Sequence, residues 1–285
     1  MSGQDQRSWR DLRSGATSSL ADPVTVARLL EEASGVSGAE LMVHLDEAAP
    51  AAAARRMDLM VARLLAGEPL QHVLGHWGFR LLDLAVGPGA LIPRPETEIV
   101  TELAIGALAG AESPVVVDLG TGTGAIALSI AVEVASATVY AVERSPAALQ
   151  LASANLCGLG RAIAARVTLL SGDWYGALPG ELRGRIDLVV SNPPYVSEAE
   201  WLGLDPVVKD HDPYDALVPG PIGTEAIEQI VEGAGDWLAV DGALVVEIAP
   251  SQASAVLEMA TRCGFSDSRV ASDLAGRERA LVARR

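Results

Sequence analysis

A glycine-rich turn between an apolar run and a helical segment restricts the possible folds of this chain more than any other feature. Residues 115–127 read VVVDLGTGTGAIA, which places Gly120, Gly122 and Gly124 directly after the apolar run. Glycine permits a tight turn with positive φ and lets a ligand approach backbone where a Cβ would clash. A helix N-terminus adds free N–H groups and a positive dipole end. The segment therefore predicts the first strand–turn–helix unit of an open α/β sheet, with a ligand bound at the turn.

Strand-like and helix-like segments alternate from residue 96 to the C-terminus. Several of the apolar runs are continuous, as in strands that are covered on both faces. Alternation of this kind predicts a doubly wound, mostly parallel sheet. The expected strands are Val115–Leu119, Thr138–Val142, Val167–Leu170, Ile186–Ser191, Ala243–Ile248 and a last one near Arg279–Ala283, with helices at about 124–134, 146–158, 222–238 and 251–263.

The first 95 residues have a different character. Residues 1–70 read as helices with short breaks, beginning with an Asp22-Pro23 start signal, and predict a small all-helical domain. Residues 71–95 contain closely spaced glycines and prolines and predict a linker with a short hairpin. The catalytic α/β domain is then expected over residues 96–285.

The ligand of the glycine turn is not identified by the glycines alone. Gly120 and Gly122, with Ala125 at the third position, also satisfy the loose dinucleotide pattern, so a nicotinamide or flavin cofactor stays open. Glu143 ends the second expected strand, about where an acidic side chain holds ribose hydroxyls. That role serves a dinucleotide or any other nucleoside cofactor equally well.

Asp173 and Trp174 follow the third expected strand, again at a carboxyl end. A carboxylate at this place can accept a hydrogen bond from an adenine amino group, and an indole can pack against the ring. We therefore expect both side chains at the adenine end of the ligand.

Asn192-Pro193-Pro194-Tyr195 ends the fourth expected strand and indicates the acceptor. Two prolines remove N–H donors and hold φ near −65°, so this backbone is stiff and presents carbonyl oxygens. Together with the Asn192 side-chain oxygen, these can accept both hydrogens of a planar –NH2 group, while Tyr195 lies on its face. The four residues therefore predict an amide-type or exocyclic nitrogen as the reacting group.

The glycine turn, Glu143 and the Asn192–Tyr195 segment together resemble the class I methyltransferases that act on such nitrogens. Two further stretches, PLQHVLG at 69–75 with Phe79 and LIPRPETE at 91–98, are similar to the HemK/PrmC family of release factor glutamine methyltransferases. The resemblance covers roughly residues 20–285. One stretch departs from it: where the family tends to have an aromatic-Glu-Pro run, residues 211–217 read HDPYDAL, which leaves the role of Asp212 open, as are those of Arg94 and Glu96.

The resemblance implies a seven-stranded sheet, S-adenosylmethionine as methyl donor and S-adenosylhomocysteine as product. His72 and His76 are four residues apart, but with Gly75 between them and no third ligand nearby we expect no metal. It implies as substrate the glutamine of the Gly-Gly-Gln loop in class 1 peptide chain release factors. Asn192, Pro193 and Tyr195 are the expected catalytic residues, and Asn192, Pro193, Pro194 and Tyr195 the expected acceptor site. The expected cofactor-binding residues are Asp118, Gly120, Thr121, Gly122, Thr123, Gly124, Glu143, Asp173, Trp174 and Asn192.

Net charge weighs against the main alternative, a DNA or RNA adenine-N6 methyltransferase. The formal charge is −16, whereas nucleic-acid binders concentrate Lys and Arg to neutralise phosphates. A dinucleotide-dependent oxidoreductase lacks an evident hydride-site acid or base, and a non-enzymatic binding module ranks no higher than it. With no secretory signal and no run of apolar residues long enough to cross a bilayer, we expect the cytoplasm and no membrane partner.

Overall fold

The computed structural model describes residues 7–285, which divide into two compact units. The first unit ends at His76 and the second is Trp77–Arg285. Buried apolar side chains form three clusters, and each cluster lies within a single unit.

The regular secondary structure of the first unit between Trp9 and Leu74 is helical. Its helices are α1 (Trp9–Leu20), α2 (Pro23–Ser34), α3 (Gly38–Leu41), α4 (Ala51–Leu65) and α5 (Leu70–Leu74). Side-chain oxygens of Ser8 and Asp22 accept from backbone N–H groups and so start the first two helices, and Gly35 ends the second at φ 74°. Leu29 and Met57 are almost fully buried in the cluster that these helices share.

A two-stranded hairpin opens the second unit, and a larger sheet follows. The hairpin strands are β1 (His76–Phe79) and β2 (Leu82–Ala85). The sheet contains β3 (Val115–Leu119), β4 (Thr138–Glu143), β5 (Val167–Ser171), β6 (Ile186–Ser191), β7 (Leu238–Glu247), β8 (Asp267–Ser272) and β9 (Glu278–Arg284).

The large sheet has the strand order β5-β4-β3-β6-β7-β9-β8. The first five strands in this order run parallel, and the last two pairings, β7 with β9 and β9 with β8, are antiparallel. A mostly parallel, seven-stranded, doubly wound sheet is therefore confirmed. The chain winds outward from β3 in one direction and returns to start again at β6, so β3 and β6 flank the switch point at which such sheets bind ligands.

Helices cover both faces of the sheet. They are α6 (Pro95–Ala107), α7 (Ala125–Glu133), α8 (Pro146–Gly158), α9 (Arg161–Ala164), α10 (Glu198–Leu202), α11 (Pro206–His211), α12 (Tyr214–Leu217), α13 (Glu225–Trp237) and α14 (Ala253–Arg262). On one face, Val117 packs in a cluster with residues of α13 and α14; on the other, Val116 packs with α6 and α7. Burial on both sides explains why the central strands are mostly apolar.

The structure adds one strand to those expected and lengthens another. β8 was not predicted, because DSRVAS has no apolar run and lies at the sheet edge, where only part of each side chain is covered. β7 begins at Leu238, five residues before the expected start at Ala243. The sequence does not indicate this earlier start, because Asp241, at φ 63°, and Gly242 read as a turn.

Candidate active site

A cavity of about 760 Å³ opens at the carboxyl ends of β3 to β6. Its size lies within the range of small-molecule and cofactor sites. The glycine turn forms one wall, the residues after β4 and β5 form a second, and the start of α6 forms a third. The lining includes Thr97, Gly120, Thr121, Gly122, Thr123, Glu143, Asp173, Trp174, Asn192 and Pro194.

The glycine turn adopts the backbone that its sequence predicts. Gly120, Gly122 and Gly124 have φ of 74°, 59° and 86°, a region that strains any residue with a Cβ. A Cβ on Gly124 would stand 2.9 Å from the Leu128 side chain, so a larger residue here would have to displace Leu128. A Cβ on Gly122 would meet no atom within 4 Å. Gly122 therefore leaves open space beside its backbone.

Asp118 lies beneath the turn and is fully buried. Its Oδ2 accepts from the Thr121 hydroxyl at 2.6 Å and from the Ala127 N–H at 3.2 Å, which joins the strand to the turn and to the first residues of α7. Burial raises the pKa of Asp118 to about 7, although these hydrogen bonds oppose the shift. Asp118 thus braces the turn from below and is not among the residues that line the cavity.

Glu143 stands at the end of β4 and is fixed by two backbone donors. Its Oε2 accepts from the Gly122 N–H and its Oε1 from the Ser145 N–H, each at 2.8 Å. Only 8% of Glu143 is exposed, and it lines the cavity. Because each carboxylate oxygen can accept more than one hydrogen bond, both oxygens keep capacity for a hydroxyl in the cavity.

Asp173 and Trp174 follow β5 and both line the cavity. Trp174 has φ 42°, which is unusual for a bulky residue. A Cβ added to Gly120 would lie 3.4 Å from Cζ3 of the Trp174 ring. The indole therefore lies next to the glycine turn where both line the cavity, and part of it packs on the core.

Asn192 follows β6 and is held by a chain of side-chain hydrogen bonds. Its Nδ2 donates to Thr97 Oγ1 at 3.1 Å, and the Thr97 hydroxyl donates to Glu247 Oε2 at 2.7 Å. The Tyr195 hydroxyl donates to the other Glu247 oxygen, Oε1, at 3.2 Å. Glu247 is 1% exposed, and burial raises its pKa to about 7. One buried carboxyl group thus supports two residues of the acceptor segment.

The acceptor segment does not present all its side chains to the cavity. Asn192 and Pro194 line it, whereas Pro193 is buried and Tyr195 packs against the core cluster. Burial raises the pKa of Tyr195. Gln252 Nε2 donates to the Tyr195 carbonyl at 2.9 Å and fixes the end of the segment. The Tyr195 ring is therefore placed as a support for the segment, beside the cavity wall.

Sequence reasoning missed Thr97, Glu247 and Gln252 as members of the site. Thr97 and Glu247 are 150 positions apart, and no short motif joins them. A signal did exist: Glu247 is the one ionisable residue in the apolar run from Ala243 to Ile248. A carboxyl group at the end of a buried strand needs a partner, because burying it alone is costly.

Arg94 and Asp212, whose roles the sequence left open, form an ion pair at 2.5 Å. Asp212 also accepts from the Ile92 N–H at 3.4 Å, so the aspartate reaches the 91–98 stretch despite its shorter side chain. Glu96 faces Arg277 and Arg279, at 3.4 and 3.9 Å.

Within residues 7–285, no group of His, Cys, Asp and Glu side chains could hold a metal ion, and no helix there could span a membrane.

Two family matches cover most of the chain. Residues 16–75 match the PrmC N-terminal domain, and residues 94–203 match the methyltransferase small domain. A release factor glutamine methyltransferase of Mycolicibacterium smegmatis is 43% identical over 273 residues, which is 95% of this chain and 93% of the relative. One of Moorella thermoacetica is 41% identical over 90% of this chain and 89% of its own length.

The fold also recurs among solved structures at low sequence identity. A methyltransferase from Pyrococcus furiosus superposes with a TM-score of 0.50 at 18% identity, covering 78% of this chain and 96% of that one. This likeness extends to the fold alone.

Proposed function

Because this chain belongs to the family of release factor glutamine methyltransferases, we propose that it methylates the side-chain amide nitrogen (N5) of a glutamine. The proposed substrate is the Gly-Gly-Gln loop of class 1 peptide chain release factors, and the proposed methyl donor is S-adenosylmethionine. The donor, when bound, supplies an electrophilic methyl group on a sulfonium sulfur, which keeps the electron pair of the broken C–S bond.

The cavity fits such a donor in shape and in chemistry. The open space beside Gly122 lets a ligand approach the backbone, and the N–H groups of Ala125 and Ile126 at the α7 N-terminus, which line the cavity, can receive its carboxylate. Glu143 keeps acceptor capacity for the ribose hydroxyls, and Asp173 and Trp174 flank the place where an adenine would lie. We assign Gly120, Thr121, Gly122 and Thr123 to the same binding surface, and Gly124 and Asp118 to its support.

The orientation of Asn192 is the observation that carries the acceptor assignment. Its Nδ2 is engaged with Thr97, so Oδ1 is the atom available to an –NH2 group in the cavity. Since Pro193 and Pro194 have no N–H, the local backbone offers acceptors in place of donors. An amide nitrogen held by two acceptors can stand in line with the methyl group, and ideal positioning of this kind can lower a barrier by about 7–11 kcal/mol.

Charge develops on the amide nitrogen as the new N–C bond forms. The carbonyl oxygens that hold the two N–H groups stabilise this positive charge without reorganising. Asn192 is not basic, so it holds the proton in a hydrogen bond and the proton leaves to water after transfer. The chain thus binds and orients the substrate amide and stabilises the positive charge on its nitrogen. The reaction does not need a general base from the protein.

The decisive experiment offers labelled S-adenosylmethionine with two versions of an intact release factor, one with the native Gly-Gly-Gln loop and one with its glutamine replaced by alanine. We expect label only in the native loop, with Asn192→Ala abolishing turnover and leaving donor affinity near that of the wild type. Duplex DNA is a third acceptor in the same assay. Label in DNA, or equal label in both release factors, would refute the proposal in favour of another nitrogen acceptor.

A further inference from the structure

We propose that Thr97 and Glu247 are positioning residues that determine which end of the Asn192 amide faces the acceptor. The proposal rests on the function proposed above, because it concerns how the acceptor –NH2 group is recognised. Neither residue lies in the glycine turn or in the Asn192–Tyr195 segment, and both act through Asn192.

An asparagine side chain presents two ends of nearly equal size and opposite hydrogen-bonding character. With Oδ1 toward the cavity, Asn192 accepts from an –NH2 group; with Nδ2 toward the cavity, it opposes donor to donor. Shape alone separates the two orientations poorly. The correct one must therefore be set by whatever contacts the other end of the amide.

Glu247 sets the orientation of the Asn192 amide, because an ionised carboxylate can only accept hydrogen bonds. The Thr97 hydroxyl has a single proton, and it donates this proton to Glu247 Oε2 at 2.7 Å. What Thr97 then offers to Asn192 is a lone pair, and it accepts from Nδ2 at 3.1 Å. Reversing Asn192 would leave its Oδ1 against an oxygen without a proton to give. The Glu247 carboxylate thus fixes the direction of the Thr97 O–H bond, and the Thr97 hydroxyl in turn fixes the orientation of the Asn192 amide.

Burial makes this arrangement rigid. Thr97 is 4% exposed and Glu247 1%, so water does not readily replace either partner. The second Glu247 oxygen is engaged by Tyr195 at 3.2 Å. The charged groups that act on Glu247 are Arg279 from β9 and Glu96 from α6, of opposite sign. At pH 8.5, above the pKa of about 7 for Glu247, the carboxylate form predominates.

The chain offers a matched set of variants in α6. Thr97→Val removes the hydroxyl at nearly constant shape, and Thr97→Ser restores it. Thr101 is the control: it is fully buried one turn later in the same helix, and its hydroxyl donates only to the Thr97 carbonyl, at 2.9 Å. Thr101→Val therefore removes a buried threonine hydroxyl without altering the direction of the Asn192 amide.

The test measures kcat, KM and donor affinity at pH 8.5 with intact release factor, together with thermal stability. We expect Thr97→Val to lower kcat by about 10²-fold while the Kd of S-adenosylmethionine changes by less than about twofold. Thr97→Ser and Thr101→Val should both stay near wild-type kcat. Wild-type kcat in Thr97→Val, or equal losses in Thr97→Val and Thr97→Ser, would overturn the proposal.

Two further readouts would not follow from a merely structural role. In a double-mutant cycle in the Tyr195→Phe background, where the Tyr195 contact of Glu247 is absent, Glu247→Leu removes the acceptor of the Thr97 proton. It should lower kcat by itself and add nothing to Thr97→Val; additive losses would contradict the inference. In selectively ¹⁵N-labelled protein, the Asn192 side-chain amide should exchange slowly with solvent in the wild type and Thr97→Ser, and quickly in Thr97→Val. Equal exchange in all three would also overturn it.

Failure of this inference is distinguishable from failure of the proposed function. An inert wild-type protein with release factor would refute the function. An active wild type whose Thr97→Val variant is equally active would refute the positioning role alone. The amide exchange measurement needs no substrate and reports on the side-chain contact in either case.

Discussion

Two carboxyl groups, those of Asp118 and Glu247, are almost fully buried in the second unit. Asp118 is held by a hydroxyl and a backbone N–H, and Glu247 by two hydroxyls. Burial raises the pKa of each to about 7. Burying a carboxyl group costs free energy unless it is fully hydrogen-bonded, so both groups are expected to lower stability when they ionise.

The cost of Glu247 should appear as a pH dependence of stability. Its pKa is 4.5 when exposed and about 7 in the fold. Between these values the unfolded chain loses the proton while the folded protein keeps it, so the free energy of unfolding falls as pH rises and levels off above pH 7. The shift corresponds to about 3 kcal/mol. Denaturant titrations from pH 4.5 to 8 should show this loss in the wild type relative to Glu247→Gln.

Asp118 is present in both proteins, so its contribution cancels in that comparison. Parallel stability curves for the wild type and Glu247→Gln would mean that Glu247 is not held with a raised pKa. The direction also matters: a gain in relative wild-type stability with rising pH would indicate a paired carboxylate with a lowered pKa.

Gly122 allows the proposed donor site to be tested separately from folding. Gly122→Ala places a Cβ in open space at φ 59°, which costs roughly 1–2 kcal/mol of backbone strain. Gly110 is the control, since it is exposed at φ 89° with no atom within 4 Å of its Cβ. We expect similar losses of stability in both variants. Calorimetry should show donor affinity reduced about tenfold in Gly122→Ala alone, and equal affinities would place the donor elsewhere.

Residues close together in sequence were the ones that sequence analysis could place. The glycines at 120 and 122 predict a turn with positive φ, which both residues adopt. Glu143 stands at the end of a strand that the alternation of strands and helices predicts. Thr97 and Glu247 could not be found in this way, because their contact depends on how α6 packs beside β7. A hydroxyl on a helix has no sequence signal until the fold brings its acceptor near.

At the scale of elements, α8 joins the hairpin to the glycine turn. Asn155 Oδ1 accepts from the Ala85 N–H at 2.7 Å, and its Nδ2 donates to the carbonyls of Ala85 and Thr123, at 3.1 and 2.9 Å. Asn155 is 8% exposed. One buried amide therefore satisfies three backbone groups of β2 and the turn, which links hairpin position to cavity shape.

Removing this amide should weaken both folding and donor binding. Asn155→Ala leaves buried backbone groups at Ala85 and Thr123 without that partner, at a cost of about 1–3 kcal/mol. Because Thr123 lines the cavity, the Kd for S-adenosylmethionine should also rise. Ser153→Ala, at an exposed position of the same helix, should change neither quantity. Denaturant titration and calorimetry measure the two effects, and an unaltered Kd in Asn155→Ala would separate the hairpin from the site.

Elements with a strong periodic signal were predicted, and elements that depend on their neighbours were not. β3 and β6 are mostly apolar because helices cover both faces of the sheet. Their apolar runs are therefore enough to predict them as strands from the sequence. β8 becomes a strand only because β9 offers it backbone partners, from Asp267 opposite Arg284 onward. Edge strands have little burial to encode, and their pairing is a tertiary property.

At the scale of the whole molecule, each unit has an apolar core of its own. The cluster that contains Leu29 and Met57 belongs to the first unit, and the two clusters on the faces of the sheet belong to the second. The hairpin residues Phe79 and Leu84 pack into the second unit. A separate core is what allows a part of a chain to fold alone, so we expect residues 76–285 to form a folded fragment.

That fragment allows the role proposed for the helical unit to be tested. A short Gly-Gly-Gln loop offers little surface for specificity, and we propose that residues 1–70 recognise the body of the release factor. The fragment 76–285 should then bind S-adenosylmethionine with wild-type affinity and methylate a short Gly-Gly-Gln peptide at the rate of the full chain. With intact release factor its kcat/KM should fall by about 10²-fold, equivalent to about 2.7 kcal/mol of lost binding. Equal kcat/KM values for the fragment and the full chain would assign recognition to the second unit, since the peptide reaction already controls for the chemistry.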